Sequence, residues 1–256
     1  MDRLRVLITG ANGFIGSNLI LRLKQMSNVD VVVFNRAANT REIIEELQPI
    51  DWIFHLAGVN RPTENEDYLR GNSELTHEIC EAVKLSEKPV PIVFSSSIWA
   101  LQTTEYGSSK LEAERTLLKL KDEKSNPVHI VRLPNVFGKR SKPNYNSVVA
   151  TFCHNAANDL PLEVTEGKKL LKLVYIDDVI EKFVSLMSSS SNNEDFFSIT
   201  PEYKITVGEL ADQILRFKDI RSGAPIGDLS NGLTKALYAT YLSFISPDKF
   251  KYPLEL

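Results

Sequence analysis

The chain has 256 residues, with 30 lysines and arginines against 33 aspartates and glutamates, and 43% of its residues are hydrophobic. This is the composition of an ordinary soluble globular protein, without the excess of positive charge that nucleic acids or anionic lipids attract. No apolar run approaches the roughly 18 residues of a membrane span. We therefore expect neither a nucleic-acid partner nor a membrane partner. Cys80 and Cys153 are too few for a disulfide framework, which favours the cytoplasm.

Short β-rich runs alternate with helical patterns over the first 135 residues. This alternation predicts an α/β fold in which helices cover both faces of a parallel sheet, a doubly wound arrangement. The predicted strands are Arg5–Thr9, Asp30–Phe34, Asp51–Leu56, Ile92–Ser95 and His129–Leu133. The predicted helices are Phe14–Met26, Thr40–Leu47, Tyr68–Leu85, Glu105–Lys121 and Ser147–Asn155.

The alternation ends after residue 135, where loops rich in Asn, Pro and Ser begin. Two more helices are predicted, over Val207–Phe217 and Leu233–Phe244, and Thr206 with Glu209 has the spacing of a capping box. The sequence therefore predicts a first domain over residues 1–135. A smaller, discontinuous C-terminal lobe is predicted over residues 136–256.

A glycine-rich turn follows the first predicted strand and leads directly into a helix. Gly10 allows a sharp turn, Gly13 lets the backbone approach a pyrophosphate, and Gly16 lets the helix pack closely against the strand. The N–H groups at the start of the helix can then bind the anion. The alternative is a glycine turn without a ligand. The predicted cofactor-binding residues here are Gly10, Asn12, Gly13, Phe14, Ile15 and Gly16.

The end of the second strand indicates which dinucleotide is bound. A carboxylate at this point accepts hydrogen bonds from the ribose 2′-OH of NAD. Here the strand ends in Asn35 and Arg36, and a guanidinium pairs well with a 2′-phosphate. We therefore expect NADP(H) in preference to NAD(H), with both residues in the cofactor site. The alternative for Arg36 is a solvated surface arginine.

The third strand ends in His55-Leu56-Ala57-Gly58. Small residues here let a cofactor lie across the strand ends, so Leu56, Ala57 and Gly58 are assigned to its site. His55 itself is expected to be a packed strand-end residue. The remaining histidines, His77, His129 and His154, lack metal-ligand spacing, and we expect no metal.

The fourth strand ends in Ser95-Ser96-Ser97, and the following helix opens with Tyr106 and, four residues later, Lys110. Residues four apart share a helix face, so the ammonium is expected to lie near the phenol and lower its pKa. Ser97 then hydrogen-bonds the carbonyl oxygen of a substrate. These three residues are the predicted catalytic set. With eight tyrosines in the chain, an accidental Tyr-x-x-x-Lys pair remains the alternative.

In this order the motifs resemble those of the extended short-chain dehydrogenase/reductase family, which has a Rossmann-like fold and acts on nucleotide sugars. The motifs are TGxxGxxG, HxAG, the serine, YxxxK and RxxNxxG, the last as Arg132, Asn135 and Gly138. The segments HLAGVNRP, YGSSKLEAE and KPNYNSVVATFC are more specific. They are similar to the reductase domain of capsular-polysaccharide enzymes, and this similarity extends over essentially the whole chain.

The resemblance implies NADPH-dependent reduction of a UDP-linked 4-keto-2-acetamido-2,6-dideoxy sugar. It implies that Tyr106 protonates the ketone oxygen, that Ser97 polarises it, and that Lys110 also holds the nicotinamide ribose. It makes residues 136–256 the substrate-binding lobe and implies a homodimer formed through the YxxxK helix and its neighbour. It adds Asn72, Ser95, Tyr106 and Pro134 to the cofactor site. The implied substrate-binding residues are Ser97, Asn135, Asn144, Asn146, Ser147 and Lys172.

Some features depart from the family pattern. Only about 15 residues separate Arg36 from the third strand, so the usual extra strand is expected to be missing or vestigial. Lys172 stands near the position of a usual arginine, and a solvated lysine is an equal alternative. Asp177 and Asp178 are expected to cap a helix rather than act as an acid/base pair. Related enzymes continue into a metal-binding cupin domain, and no segment of this sequence resembles that domain. The resemblance therefore implies neither its metal nor its second activity, and a longer natural chain is an alternative.

Three other functions compete with a reductase. A sugar dehydratase of this family places two acids directly after the catalytic serine or threonine, where this chain has Ile98 and Trp99. A C4 epimerase needs no such acid and is harder to exclude. A non-catalytic NADPH-binding protein would not require the Ser97, Tyr106 and Lys110 set.

Overall fold

The computed structural model describes residues 3–34, 50–60, 68–188, 194–220 and 228–249. Its strands are β1 (Leu4–Thr9), β2 (Val29–Phe34), β3 (Trp52–His55), β4 (Ile92–Ser97), β5 (Val128–Leu133), β6 (Asn135–Phe137), β7 (Leu170–Tyr175), β8 (Phe196–Phe197) and β9 (Tyr203–Thr206). Its α-helices are α1 (Phe14–Leu23), α2 (Leu75–Lys84), α3 (Glu105–Lys124), α4 (Val148–Ala157), α5 (Ile176–Ser188), α6 (Val207–Ile220) and α7 (Gly232–Leu242). A π-helix (Leu69–Glu74) and two 3-10 helices (Ile98–Leu101 and Pro247–Lys249) complete the described elements.

The five strands predicted in the first half of the chain are all present, each with ends within two residues of those predicted. The predicted helix Tyr68–Leu85 differs from expectation, because its first part is the π-helix that leads into α2. A π-helix is rare and usually only about one turn long, so a residue pattern does not separate it from an α-helix, and such segments occur often at functional sites. The predicted helix Thr40–Leu47 and the expected loss of an extra strand fall outside the described residues.

Six strands form a parallel sheet in the order β2-β1-β3-β4-β5-β8. The chain leaves β2 on one side of β1 and re-enters the sheet as β3 on the other side. This reversal is the topological switch point, where ligands of open α/β sheets bind at the carboxyl ends of the strands. The register places Thr9 beside His55, and Ser97 beside Leu133, so these strand ends lie along one edge of the sheet.

Alternate residues of the strands pack on opposite faces of the sheet. Leu7 and Ile53 belong to a buried cluster that also contains side chains of α2 and α3. Phe54, next in sequence to Ile53, stacks instead on Phe183 of α5, with 5.8 Å between ring centroids. Helices therefore cover both faces, and the predicted doubly wound, Rossmann-like fold is confirmed.

The chain divides into two compact units. The first unit comprises residues 1–134 and 180–199, and the second comprises residues 135–179 and 200–256. The first unit contains the six-stranded sheet. The assignment of nucleotide binding to residues 1–135 and of substrate binding to residues 136–256 remains a prediction about function.

The second unit has a sheet and a hydrophobic core of its own. β6 and β7 are parallel, and β9 runs antiparallel to β7. The fully buried Leu210 and Leu237 lie in its core cluster with side chains of α4. The predicted capping box is confirmed at the start of α6, where the Glu209 carboxylate accepts from the Thr206 backbone N–H at 2.9 Å and the Glu209 N–H donates back to the Thr206 hydroxyl.

Both cysteines are buried and free. Burial raises the pKa of the Cys80 thiol to about 12 and also raises the pKa of Cys153. A thiolate is the nucleophilic form of cysteine, so neither side chain is suited to nucleophilic chemistry near neutral pH. Within the described ranges, no helix combines the length and the apolar character that crossing a membrane requires.

Two leucines on α1 provide a matched test of the first unit's packing. Leu19 is fully buried, whereas Leu21 is 45% exposed. We expect Leu19→Ala to lower the free energy of unfolding by about 2–5 kcal/mol, because it leaves a cavity in a packed core. We expect Leu21→Ala to change it by less than about 0.5 kcal/mol. Urea denaturation followed by circular dichroism measures both, and equal losses would contradict the packing described here.

Candidate active site

The glycine turn between β1 and α1 is shaped for a close backbone approach. Gly10 has φ +68°, and a Cβ there would lie 2.6 Å from the backbone nitrogen of Ala57. A side chain at Gly16 would collide with the Gly10 carbonyl. Gly13 is the N-cap of α1 and provides no side-chain cap, so the N–H groups of the first turn remain available to an anion. Asn12 and Gly13 are exposed, and Phe14 and Ile15 are half-buried.

The ends of β1 and β3 are joined by a buried hydrogen-bond network. The Thr9 hydroxyl accepts from the backbone N–H groups of Leu56 and Ala57 at 3.1 and 3.0 Å. The same hydroxyl lies 2.8 Å from Nδ1 of His55. Nε2 of His55 lies 2.8 Å from the hydroxyl of Thr76, which donates to the Asn72 carbonyl at 2.6 Å.

These contacts determine the protonation of His55. The Thr76 hydroxyl uses its proton toward Asn72, so it accepts from Nε2–H of the imidazole, and Nδ1 accepts from Thr9. Burial, together with the Lys110 charge, lowers the pKa of His55 to about 3. His55 is therefore a neutral, fully hydrogen-bonded packing residue, as expected from the sequence.

Asn72, on the π-helix, is buried and fastens the segment that follows β3. Its Oδ1 accepts from the Val59 N–H, and its Nδ2 donates to the Val59 carbonyl and to the Ser109 hydroxyl, each at 3.0 Å. A Cβ at Gly58 would lie 2.8 Å from Oδ1 of Asn72 and 2.9 Å from Nζ of Lys110. A side chain at position 58 would therefore push against both Asn72 and Lys110.

A tight turn brings the end of β4 against the start of α3. Ser97 is the N-cap of the short 3-10 helix and accepts from the Trp99 N–H at 3.2 Å. Thr104 caps α3 by accepting from the Gly107 N–H at 3.0 Å. Tyr106 is thereby held in the first turn of α3, with its phenol near enough to Ser97 for that side chain to lower the phenol pKa.

The expected lowering of the Tyr106 pKa is wrong for this structure. Burial raises the pKa of the phenol, the hydrogen bond with Ser97 opposes that rise, and Tyr68, whose ring centroid lies 5.8 Å away, adds to it. The reason is that a phenolate loses hydration in this half-buried position. A phenol with a raised pKa stays protonated at neutral pH, which is the form that a proton donor requires.

Lys110 lies one turn beyond Tyr106 and is only 5% exposed. Its ammonium donates to the Ser95 carbonyl at 3.2 Å and lies 4.9 Å from the centre of the Phe94 ring. Burial lowers the pKa of this ammonium to about 8, against the opposing effect of Glu114. The structure thus places Lys110 against Ser95 and Tyr106 beside Ser97, with both serines in the carboxyl-terminal half of β4.

A further buried group occupies the same helix face. Glu114, one turn beyond Lys110, accepts from the Ser96 hydroxyl at 2.5 Å and from two nitrogens of Arg132 at 2.9 and 2.6 Å. The sequence motifs assigned no role to Glu114 or Arg132. The signal was the spacing of Tyr106, Lys110 and Glu114, each four residues apart on one face of α3.

The second unit carries the other predicted substrate residues. Nδ2 of Asn135 donates to the Lys172 carbonyl at 3.1 Å, and Lys172 lies on β7 opposite Lys204. Ser147 caps α4 by accepting from the Ala150 N–H. The exposed Asn144 and Asn146 precede this cap. The roles of Asn135, Asn144, Asn146, Ser147 and Lys172 in substrate binding remain predictions. Pro134, which was assigned to the cofactor site, is a half-buried residue directly after β5.

Asn35 and Arg36, the predicted contacts to a 2′-phosphate, lie outside the described residues. Within the ranges that the structure describes, no group of three or more His, Cys, Asp or Glu side chains is placed to hold a metal ion. Asp177 and Asp178 lie in the first turn of α5, as expected for residues that stabilise a helix N-terminus.

Comparison with known proteins agrees with this geometry. Residues 6–199 match the NAD dependent epimerase/dehydratase family. The chain belongs to this family. It is also 45% identical to the UDP-2-acetamido-2,6-beta-L-arabino-hexul-4-ose reductase of Pseudomonas aeruginosa over 253 residues, which cover 99% of this chain and 68% of the relative. The resemblance stated from the sequence motifs is confirmed, and the family supports a nicotinamide cofactor.

Solved structures of family members have the same fold. The capsular polysaccharide assembling protein CapF from Staphylococcus aureus superposes with a TM-score of 0.87 at 36% identity, over 97% of this chain and 68% of CapF. A UDP-glucuronic acid 4-epimerase from Bacillus cereus superposes with a TM-score of 0.79 at 20% identity, over 94% of this chain and 99% of the epimerase. At that identity the epimerase supports the fold alone.

The close approach at Gly10 generates a test of the turn. Gly10→Ala places a methyl group against the Ala57 backbone at a positive φ. We expect NADPH binding to weaken at least about tenfold, since such backbone strain costs about 1–3 kcal/mol and moves the turn. Fluorescence titration with NADPH measures this change in affinity. Gly167→Ala is the control, because its Cβ would make an ordinary 3.5 Å contact with Val164, and unchanged affinity in Gly10→Ala would contradict the assignment.

Proposed function

We propose that this chain is an NADPH-dependent reductase that converts the 4-keto group of a UDP-linked 2-acetamido-2,6-dideoxy sugar to an alcohol. The observation that carries the proposal is the convergence of Ser97, Tyr106 and Lys110 at the switch-point edge of the sheet. The Pseudomonas aeruginosa relative supports the substrate, because it is a reductase of such a 4-ulose. The similarity to CapF supports a place in the assembly of a surface polysaccharide.

The turn between β1 and α1 fits a dinucleotide, because Gly10 lets the turn pack against the Ala57 backbone at a positive φ, and Gly13 leaves the first N–H groups of α1 without a side-chain cap. We propose that Gly10–Gly16, residues 56–58 and Asn72 hold the cofactor, with Ser95 and Pro134 at its margin. When bound, the reduced nicotinamide supplies a hydride, so that ketone, NADPH and one proton give alcohol and NADP⁺. The preference for NADPH over NADH rests on Asn35 and Arg36 and belongs to this proposal.

The residues of the chain supply the proton and the orientation. Tyr106, kept protonated by burial, donates its proton to the ketone oxygen. Ser97 hydrogen-bonds the same oxygen and orients it toward the phenol. Charged Lys110 stabilises the phenolate that remains and holds the nicotinamide ribose. Asn135, Asn144, Asn146, Ser147 and Lys172 are proposed to contact the nucleotide sugar.

The competing reactions make different demands on the residues after Ser97. Dehydration in this family needs acids at the two following positions, and here the 3-10 helix provides Ile98 and Trp99. Trp99 is 43% exposed, and its indole cannot exchange protons with a sugar carbon. An epimerase would retain its cofactor through each turnover, whereas a reductase releases NADP⁺.

The direct test mixes the purified protein with NADPH and the UDP-linked 4-keto sugar and follows loss of absorbance at the nicotinamide band. We expect one NADPH to be consumed for each ketone reduced, with the alcohol identified by mass spectrometry. Conversion of the sugar to its C4 epimer without net NADPH loss would favour the epimerase instead. No change in either compound would overturn the proposal.

The tyrosine has a test of its own. Tyr106→Phe is expected to lower kcat by about 10²–10⁴-fold, because the proton donor is lost, while NADPH affinity changes little. Steady-state kinetics and fluorescence titration measure the two quantities. Tyr68→Phe is the matched control, since it removes the neighbouring hydroxyl and keeps the ring contact. Undiminished turnover in Tyr106→Phe would remove this residue from the mechanism.

The cofactor preference is tested at the end of the second strand. Arg36→Asp replaces a cation suited to a 2′-phosphate by a carboxylate suited to a 2′-hydroxyl. We expect the ratio of kcat/KM with NADPH to that with NADH to fall at least about tenfold, which corresponds to 1.4 kcal/mol. An unchanged ratio would show that Arg36 does not select the cofactor.

We also propose that the protein is a cytoplasmic homodimer that pairs through α2 and α3. The support is the family resemblance of the YxxxK helix, and two free buried cysteines are compatible with a reducing compartment. Sedimentation velocity measures the assembly state, and a monomer at micromolar concentration would contradict the dimer.

A further inference from the structure

Glu114 is a buried charged side chain to which the proposed mechanism gives no role. It is 1% exposed and lies on the inner face of α3. Its Oε1 accepts from the Ser96 hydroxyl at 2.5 Å and from Nε of Arg132 at 2.9 Å, and its Oε2 accepts from the second Arg132 nitrogen at 2.6 Å. A carboxyl group that accepts both arms of a guanidinium is in its ionised form.

Burying an ion pair costs desolvation free energy, so a stabilising effect alone does not explain why this pair is buried. Apolar side chains of similar volume often replace a buried ion pair without loss of stability. Arg132 also lies over the Phe196 ring, with its guanidinium carbon 4.3 Å from the ring centre. The carboxylate is therefore held from two strands, by Ser96 on β4 and by Arg132 on β5. This rigidity suggests a second role.

The neighbouring group that the Glu114 carboxylate stabilises in its charged form is the Lys110 ammonium. It donates to the Ser95 carbonyl, and a neutral carbonyl offsets only part of the cost of burying a charge. Glu114 lies one helical turn away on the same face, and its charge favours the protonated form of Lys110. Its anchor Ser96 is the residue directly between Ser95 and Ser97.

We propose that Glu114 is a positioning residue that keeps Lys110 charged and aligned beside Tyr106. The inference rests on the proposed reductase function, because it assigns Glu114 a part in the same site. Glu114 acts through Lys110 and is not expected to touch the substrate.

The charged and titratable groups around Lys110 come from three elements. His55 on β3 is neutral, since its pKa is about 3. Tyr106 on α3 is a protonated phenol near neutral pH. Arg132 on β5 faces Glu114, so its positive charge partly offsets the carboxylate. Glu114 is thus the group of this set that favours a charged Lys110.

The test measures the titration of Lys110 directly. Protein labelled with ¹³C at the lysine Cε is followed by NMR between pH 6 and 11, roughly the range over which a perturbed lysine titrates. The Lys110 signal is assigned by its loss in Lys110→Arg. We expect Glu114→Gln to lower the midpoint by about one pH unit or more, because an opposite charge nearby shifts a pKa by roughly 1–3 units.

Two further variants separate charge from structural damage. Glu112→Gln removes an exposed carboxylate from the same helix and is expected to leave the midpoint unchanged. Arg132→Gln removes the guanidinium but keeps the carboxylate, and it is expected to leave the midpoint unchanged or raise it. Coincident midpoints in the wild type and Glu114→Gln, or equal lowering in Glu114→Gln and Arg132→Gln, would overturn the proposal.

Glu114→Gln leaves a guanidinium unpaired, so the double variant Glu114→Gln with Arg132→Gln is measured as well. Its midpoint is expected to lie below that of Arg132→Gln alone, and equal midpoints would overturn the proposal even if the single variant does not fold.

The same variants are then compared by kcat/KM for ketone reduction as a function of pH. The wild-type profile is expected to fall above about pH 8, and Glu114→Gln is expected to move that limb to lower pH by the shift that NMR measures. A limb that stays in place while the NMR midpoint moves would overturn the role in positioning. Absence of reduction by the wild-type protein would instead count against the proposed function, and the NMR result would still decide whether Glu114 keeps Lys110 charged.

Discussion

Burial of the Lys110 ammonium is the constraint around which the first unit is organised. A charge in this position loses its hydration, and the protein compensates with the Ser95 carbonyl and with the electrostatic effect of Glu114. Space for the ammonium is provided by Gly58, where a side chain would meet Nζ at 2.9 Å. Gly58, the Ser95 carbonyl on β4 and the inner face of α3 therefore all accommodate this one cation.

Neutral hydrogen bonds fix the surrounding backbone without adding charge to it. Thr9, His55, Thr76 and Asn72 form a chain of donors and acceptors in which each proton has an acceptor. A satisfied network of this kind rigidifies a structure, whereas a half-satisfied one is costly. The strand ends that face the proposed cofactor are thus held by groups whose protonation is constant across the physiological pH range.

Local sequence information was enough to predict the first five strands, the glycine turn and the helix that carries Tyr106 and Lys110. Each of these depends on residues within one strand–turn–helix segment or on one helix face, which spacing reveals. The partners of His55 were not predictable in the same way, because Thr9 and Thr76 lie 46 and 21 positions away. The direction of the Tyr106 pKa shift was predicted wrongly, since spacing shows a neighbouring charge but not the extent of burial.

The boundary between the two units has a consequence for engineering. The units are not consecutive in the chain: residues 180–199 return to the first unit, and the boundary at Val179 falls inside α5. A single continuous fragment cannot contain one complete unit and nothing of the other. Chimaeras that exchange the second unit between relatives therefore require two separate grafts, with one junction after the first turn of a helix, where preserving its register matters more than matching loop lengths.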